Sequence, residues 1–267
     1  MSLVDIPGLN LINLYQYLFI FFFVSLRVSS LLLSAPFFST GFIPLQIRIL
    51  FSVCLTIFIF NQVKTPNFFE LSNFELIIII LTEIGIGLSV GMVLNILFSV
   101  ASVTGEKIAS TAGLSMSNMI DPQSGGQTLV ISTVLSLFLI SIFLSLDGHL
   151  YIIKMIIESY VYLPIGASLN FLEVSNSGIL AFEKMLYLSS LIMLPVVGGM
   201  LLINIAGGII TRSAPTLNLF SFVFPITLIS VFIFLFLASG SIGNAFSDLT
   251  ATCINLIDNL LHSAVME

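Results

Sequence analysis

The chain is a succession of apolar stretches, several of them as long as the roughly 20 residues that carry an α-helix across a lipid bilayer. Leu11–Leu33 holds a single Arg27, and Phe42–Phe60 holds Pro44 and Arg48. Leu76–Val103 carries Glu83, and Leu129–Leu146 has no charge. Leu186–Ile210 is interrupted by Pro195, Gly198 and Gly199, and Phe222–Ala238 carries Pro225. Leu150–Leu163 is shorter and amphipathic, with Lys154 and Glu158 spaced to pair on one helix face. The pieces between are turn chemistry: Ala35-Pro36, Thr65-Pro66-Asn67, Asp121-Pro122 ahead of Gly125-Gly126, Pro164-Ile165-Gly166 and Ser213-Ala214-Pro215. This pattern predicts one all-α domain over residues 1–267, of six or seven apolar segments, with no soluble domain attached.

Charge settles the class. Only 7% of residues are charged and 58% are apolar, against about 25% charged in a soluble domain. Such a surface would precipitate in water, and disorder needs the opposite balance. The chain is an integral membrane protein or is buried in a larger apolar assembly. Thirteen acidic against 7 basic residues leave no electrostatic footprint for nucleic acid. Cys54 and Cys253 stand far apart without CxxC or His spacing, so neither metal nor disulfide is expected. Met1–Asn10 lacks Lys and Arg, so it is not expected to be a cleaved leader. Loop charges normally report orientation. Here Arg27, Arg48 and Lys107 lie inside or beside apolar segments, and too few basic residues remain to decide.

The C-terminal stretch reads differently. Ile242, Phe246, Leu249, Cys253, Leu256, Leu260 and Ala264 recur in steps of three and four, while Asp248, Asn255, Asp258 and Asn259 fall mostly off that face. The expectation is an amphipathic helix over 242–265, too polar to span. It would lie at the membrane surface, cover its own bundle or dock a partner.

Within the apolar segments, Arg27, Arg48 and Glu83 need partners or water, since an ionised group at mid-bilayer costs at least about 2.5–3.5 kcal/mol. They either pair with one another and hold helices in register, or face a seam between subunits. Glu83 heads a row of small and polar residues, Gly87, Gly91, Asn95 and Ser99, and Gly87-x-x-x-Gly91 permits close helix contact. That contact would be within this chain or with a neighbour. Gly105–Gln127 (GEKIASTAGLSMSNMIDPQSGGQ) combines glycines, small residues, Met116 and Met119 between two apolar segments. Connectors that long are uncommon unless functional, and thioether side chains suit a deformable seal. Asp147-Gly148-His149 reads as a helix end closed by Gly148. GxSxG, HExxH and Walker motifs are absent from the sequence, so no catalytic residue, metal or cofactor is expected.

Five ordered blocks carry a resemblance: Ala35–Arg48 (APFFSTGFIPLQIR), Glu83–Gly91 (EIGIGLSVG), Gly105–Pro122 (GEKIASTAGLSMSNMIDP), Asp147–Gly166 (DGHLYIIKMIIESYVYLPIG) and Pro195–Pro225, in particular LINIAGGIITRSAPTLNLFSFVFP. Together they resemble the FliR family of flagellar biosynthesis proteins, whose type III secretion counterparts belong to the same family. The chain departs from the family at Thr111-Ala112-Gly113, where Gln-Met-Gly is usual, at Lys107, and at Asp147. The resemblance implies a non-enzymatic export-gate subunit of bent helical hairpins, present in single copy with several FliP-like and FliQ-like subunits. It implies a place in the bacterial inner membrane at the flagellar basal body, contacts with FlhB- and FlhA-like components, and passage of unfolded flagellar proteins. The third block corresponds to the family's plug. On that reading Gly105, Ile108, Gly113, Leu114, Met116, Met119, Ile120, Asp121 and Pro122 form the gate, with Gly113 supplying flexibility and Pro122 fixing the exit. Met116 and Met119 are the candidates to replace the methionine missing at Ala112. Arg27, Arg48, Glu83, Gly87, Gly91, Asn95, Arg212 and Pro215 are expected in packing and assembly. A virulence-type secretion subunit, a small-solute transporter and an intramembrane enzyme using Asp147 and His149 are the competing expectations.

Overall fold

A computed structural model of the chain describes residues 5–6, 9–38, 43–60, 63, 72–114, 130–214 and 219–263. The described residues form seven α-helices: α1 Leu11–Ser34, α2 Leu45–Phe60, α3 Asn73–Thr111, α4 Val130–Ser145, α5 Gly148–Tyr162, α6 Phe171–Ser213 and α7 Leu219–Ser263. A 3₁₀ turn follows α1 at Pro36–Phe38, and Asp5–Ile6 pairs antiparallel with Leu9–Asn10 ahead of it. The all-α expectation holds. Four helices are long and apolar enough to cross a membrane, within Tyr15–Ser34, Asn73–Thr111, Phe171–Ser213 and Phe222–Ser263, and α4 with α5 makes a fifth if counted as one broken span.

Local chemistry explains the helix ends. Ser72 and Glu75 form a capping box at the start of α3: the Ser72 amide donates to Glu75 Oε2 at 2.7 Å and the Glu75 amide to Ser72 Oγ at 3.3 Å. Asn170 caps α6, accepting from the Leu172 amide at 3.1 Å. Between α4 and α5 it is Asp147, not the expected Gly148, that takes the left-handed conformation, at φ 57°. Gly148 is small for a different reason. It lies against the Phe143 ring, where a Cβ would come 2.6 Å from Cδ2.

Long-range contacts divide the chain into two compact units. The first comprises Met1–Asn95, His149–Ala181 and Cys253–Glu267. Its core joins Phe23, Val24 and Leu32 of α1, Ile59 of α2, Ile86 and Val90 of α3, Ile152 of α5 and Ile257 of α7. The second comprises Ile96–Gly148 and Phe182–Thr252. Leu97, Ile108, Leu139, Phe143, Met200, Val231, Phe246 and Leu249 fill it, with Phe98 and Phe143 edge to face at 5.1 Å.

Three boundaries differ from the sequence expectation. Helix α3 continues past Val103 to Thr111. Helix α6 starts at Phe171, ahead of the exposed charges Glu183 and Lys184, and passes unbroken through the exposed Pro195 and through Gly198 and Gly199. The C-terminal amphipathic stretch is the second half of α7, which runs through Gly240 and Gly243 without a stop. Its expected face is otherwise right: Ile242, Phe246, Leu249, Cys253 and Leu260 are buried, with Ile257 taking the inner position beside a half-buried Leu256. Of the three expected settings, this face covers its own chain. Ala264 lies outside the described residues.

Helix α2 is inside out. Arg48, Ser52, Thr56 and Ile59 are its buried residues, whereas Leu45, Ile47, Ile49, Leu50, Ile57 and Phe58 face outward. Water punishes that arrangement, while lipid or an apolar neighbour favours it.

Candidate functional site

The first polar centre is an ion pair inside the first unit. Arg27 is 0% and Glu83 1% exposed. The guanidinium meets the carboxylate side-on: Nε donates to Oε2 at 2.7 Å and Nη2 to Oε1 at 2.9 Å. Nη2 also donates to the Leu163 carbonyl at 2.9 Å, and Nη1 to Ser159 Oγ at 2.9 Å. Ser159 can accept because its own proton goes to the Ile156 carbonyl, at 2.6 Å. Four of the five guanidinium N–H groups are thus used, and the Tyr160 ring stacks under the cation at 4.0 Å from its centroid. A bidentate pair with most of its remaining donors satisfied is the form in which a buried charge is tolerated. The network ties α1 to α3, to α5 and to the turn after α5.

The expected small-residue row sits on the same seam. A Cβ on Gly87 would run into the Arg27 carbonyl and the Ser30 hydroxyl, and would lie 3.0 Å from the Leu31 amide. One on Gly91 would collide with Ser34, reaching 2.7 Å from its Cβ. The two glycines therefore let α3 lie directly on α1, within this chain. Asn95, further along, is exposed.

Arg48 does not join the pair. It is 4% exposed, its Nη2 donates to the Ile43 carbonyl at 3.4 Å, and its Nε finds no acceptor among the described residues. Arg212 is exposed in the last turn of α6, where a cation complements the helix dipole. Pro215 lies outside the described residues. His149 has a buried Nδ1 without a partner among the described residues, and borders a cavity of about 20 Å³ whose other lining residues are apolar, including Leu31, Phe38 and Ile59. No described group there orients the imidazole as a catalytic base would require.

The second centre is the end of α3, in the second unit. Gly105 and Ile108, expected in a connector, are helical. Gly105 faces the backbone of Ser132 on α4, where a Cβ would sit 2.7 Å from the Ser132 nitrogen, and Ile108 is fully buried. Gly105 is thus a close-approach glycine and not a loop residue. Gly113 takes φ +83° and closes the helix. Its amide donates to the Ser110 carbonyl at 3.0 Å, and the Leu114 amide to the Ala109 carbonyl at 3.0 Å. This is a Schellman motif with glycine in its left-handed position. Gly113 therefore fixes a geometry, in place of the flexibility expected of it. Met116, Met119, Ile120, Asp121 and Pro122 lie outside the described residues.

Sequence reasoning missed Ser159, Tyr160 and the Leu163 carbonyl as partners of Arg27. It also missed Asn204 of α6 and Thr227 of α7, which reach the end of α3: Asn204 Nδ2 donates to the Thr111 carbonyl at 3.2 Å, and Thr227 Oγ1 approaches the Ala112 carbonyl at 3.4 Å. The signal present for Asn204 was an amide in the middle of a strongly apolar helix, which needs an acceptor.

Long helices with apolar outer faces, and with Arg27, Arg48 and Glu83 turned inward, define an integral membrane protein without a recognisable catalytic centre among its described residues. More specifically, the chain belongs to the bacterial export proteins, family 1, whose profile matches residues 18–253. It is 32% identical over 214 residues to flagellar biosynthetic protein FliR of Pectobacterium carotovorum subsp. carotovorum, covering 78% of this chain and 79% of that protein. It is 30% identical to the Escherichia coli K12 protein of the same name, covering 80% and 81%. Yop proteins translocation protein T of Yersinia pestis is 28% identical over 179 residues, 65% of this chain and 68% of the relative.

Proposed function

We propose that the chain is a subunit of a bacterial type III export apparatus of the flagellar kind, built into the gate through which unfolded flagellar proteins leave the cytoplasm. In this reading one copy assembles with FliP-like and FliQ-like subunits in the inner membrane at the flagellar basal body, next to FlhB- and FlhA-like components. The segment Gly105–Pro122 leads into the plug, with Met116, Met119 and Ile120 as its sealing side chains. The chain positions other proteins and performs no catalysis.

The observation that carries the assembly is the length of the outward apolar face. Helix α6 has 43 residues, about 64 Å of helix. Its large exposed apolar residues run from Phe171 and Leu172 at one end to Ile209 and Ile210 at the other. A bilayer core is about 30 Å thick, and even a tilt of about 40° fits only roughly 39 Å of helix into it. Hydrocarbon cannot cover the remainder, which supports a reading in which protein neighbours cover its apolar residues.

The flagellar reading is preferred to a virulence system because the Pectobacterium and Escherichia coli FliR proteins match more of the chain, at 32% and 30% identity, than the Yersinia protein does at 28%. Three experiments test it. Tagged chain extracted in detergent should co-purify with FliP-like and FliQ-like proteins, and its deletion should abolish motility; recovery as a functional monomer would refute the assignment. Deletion of residues 116–121, which leaves α3 and its cap intact, should raise ion leakage through an assembled gate. Unchanged conductance would remove the plug from the reading.

A further inference from the structure

An α-helix ends with carbonyls that have no partner in the next turn. At the end of α3 each has found one. The Ile108 carbonyl accepts from the Ala112 amide at 3.0 Å, the Ala109 carbonyl from Leu114 and the Ser110 carbonyl from Gly113. That leaves the carbonyls of Thr111 and Ala112, and neither is answered locally. Asn204, from α6, donates to the first at 3.2 Å. Thr227, from α7, leans toward the second at 3.4 Å, its single proton shared with the nearer Phe224 carbonyl at 2.8 Å. One turn before Thr227, the Phe224 ring presses on Gly113, where a Cβ would come within 3.2 Å.

Asn204 stands out chemically. Its neighbours Leu201, Leu202 and Ile205 are exposed and apolar, so a leucine at 204 would suit the helix as well. An amide in such a setting is costly unless its donor is used. The donor is spent on the last helical residue before the chain leaves α3.

We propose that Asn204, assisted by Thr227, is a positioning residue that fixes the point at which the chain leaves α3, and thereby sets how tightly the resting gate holds back ions. This rests on the plug reading above. The anchor belongs to α6 and α7 and not to the plug block, so a substitution more than ninety positions away in sequence (the bond spans 93 residues) acts on the seal. Asn204 touches nothing that is transported; it acts through Thr111.

The test uses the assembled, membrane-extracted complex with Asn204→Leu, Thr227→Val, Thr227→Ser and the 116–121 deletion side by side. Conductance of the complex in planar bilayers and amide hydrogen exchange at Ala112–Leu114 are the readouts. Asn204→Leu should leave assembly unchanged, speed exchange at those amides about fivefold, the equivalent of one lost hydrogen bond, and raise resting conductance. Thr227→Val should do the same more weakly, and Thr227→Ser, which keeps the hydroxyl, should match the parent. A leaky deletion beside a tight Asn204→Leu would overturn this inference alone. A deletion that stays tight would overturn the plug reading and this inference with it. If Asn204→Leu fails to assemble, the smaller Asn204→Ala decides by the same readouts. Failure of both to assemble would make Asn204 a packing residue and overturn the inference.

Discussion

Replacing Glu83 by alanine leaves Arg27 charged, buried and without its counter-ion. Two of its four hydrogen bonds disappear, from Nε and from one N–H of Nη2, while those to Ser159 and the Leu163 carbonyl remain. With both side chains 1% exposed, water cannot substitute. Removing one member of a buried pair costs about 3–5 kcal/mol, roughly a hundredfold to several-thousandfold in the folded fraction. The double variant Arg27→Met/Glu83→Leu takes away both charges and should recover most of that loss. Ser159 keeps its bond to Ile156, so the remaining deficit is chiefly the Leu163 carbonyl, worth about 1 kcal/mol. The assay is the yield of assembled complex after detergent extraction, with its unfolding midpoint in a denaturant titration. Parent-like behaviour of Glu83→Ala, or a double variant no better than the single one, would refute this account of the pair. A fully assembled Glu83→Ala complex that no longer exports would refute its assignment to assembly.

Gly87→Ala and Gly91→Ala force α3 away from the α1 backbone and should each cost about 1–3 kcal/mol, read as a lowered unfolding midpoint. Gly198→Ala and Gly208→Ala, where a Cβ meets nothing within 4 Å, should be neutral or stabilise by up to about 1 kcal/mol; equal losses at all four would dismiss the close-approach explanation. Gly113→Ala must adopt φ +83° beside Phe224 and should destabilise by about 1–2 kcal/mol, whereas Gly113→Asn, which tolerates that conformation, should lose less. Identical midpoints for the two would show that backbone strain is not the cause.

How much of this could be read from sequence depends on what each residue is for. The apolar segments announced their helices, and Arg27 and Glu83 announced that they needed company, because a charge among leucines admits few solutions. Gly87 and Gly91 were legible as a contact row through their helical spacing, though not as to which helix they touch. Gly105 was misleading. In composition it opens a small-residue connector, yet it is small because Ser132 of α4 lies against it, and a glycine selected by a neighbour looks the same as one selected by a turn. Pro195 misled for a related reason: sequence records the lost donor but not that the residue sits on the exposed side of a long helix held by other contacts. Asn204 and Thr227 escaped because their partners are backbone carbonyls, which carry no residue-type signature.

Helix α2, greasy outside and polar within, has a consequence for the cell. A copy not yet covered by lipid or by an apolar neighbour presents the surface that quality-control proteases and chaperones treat as damage. Until that face is covered, nothing intrinsic to such a copy distinguishes it from a misfolded one, so its lifetime is set by how soon lipid or an apolar neighbour covers it. On the proposed assembly, matched synthesis of the components, and not affinity alone, then governs how many complexes are completed.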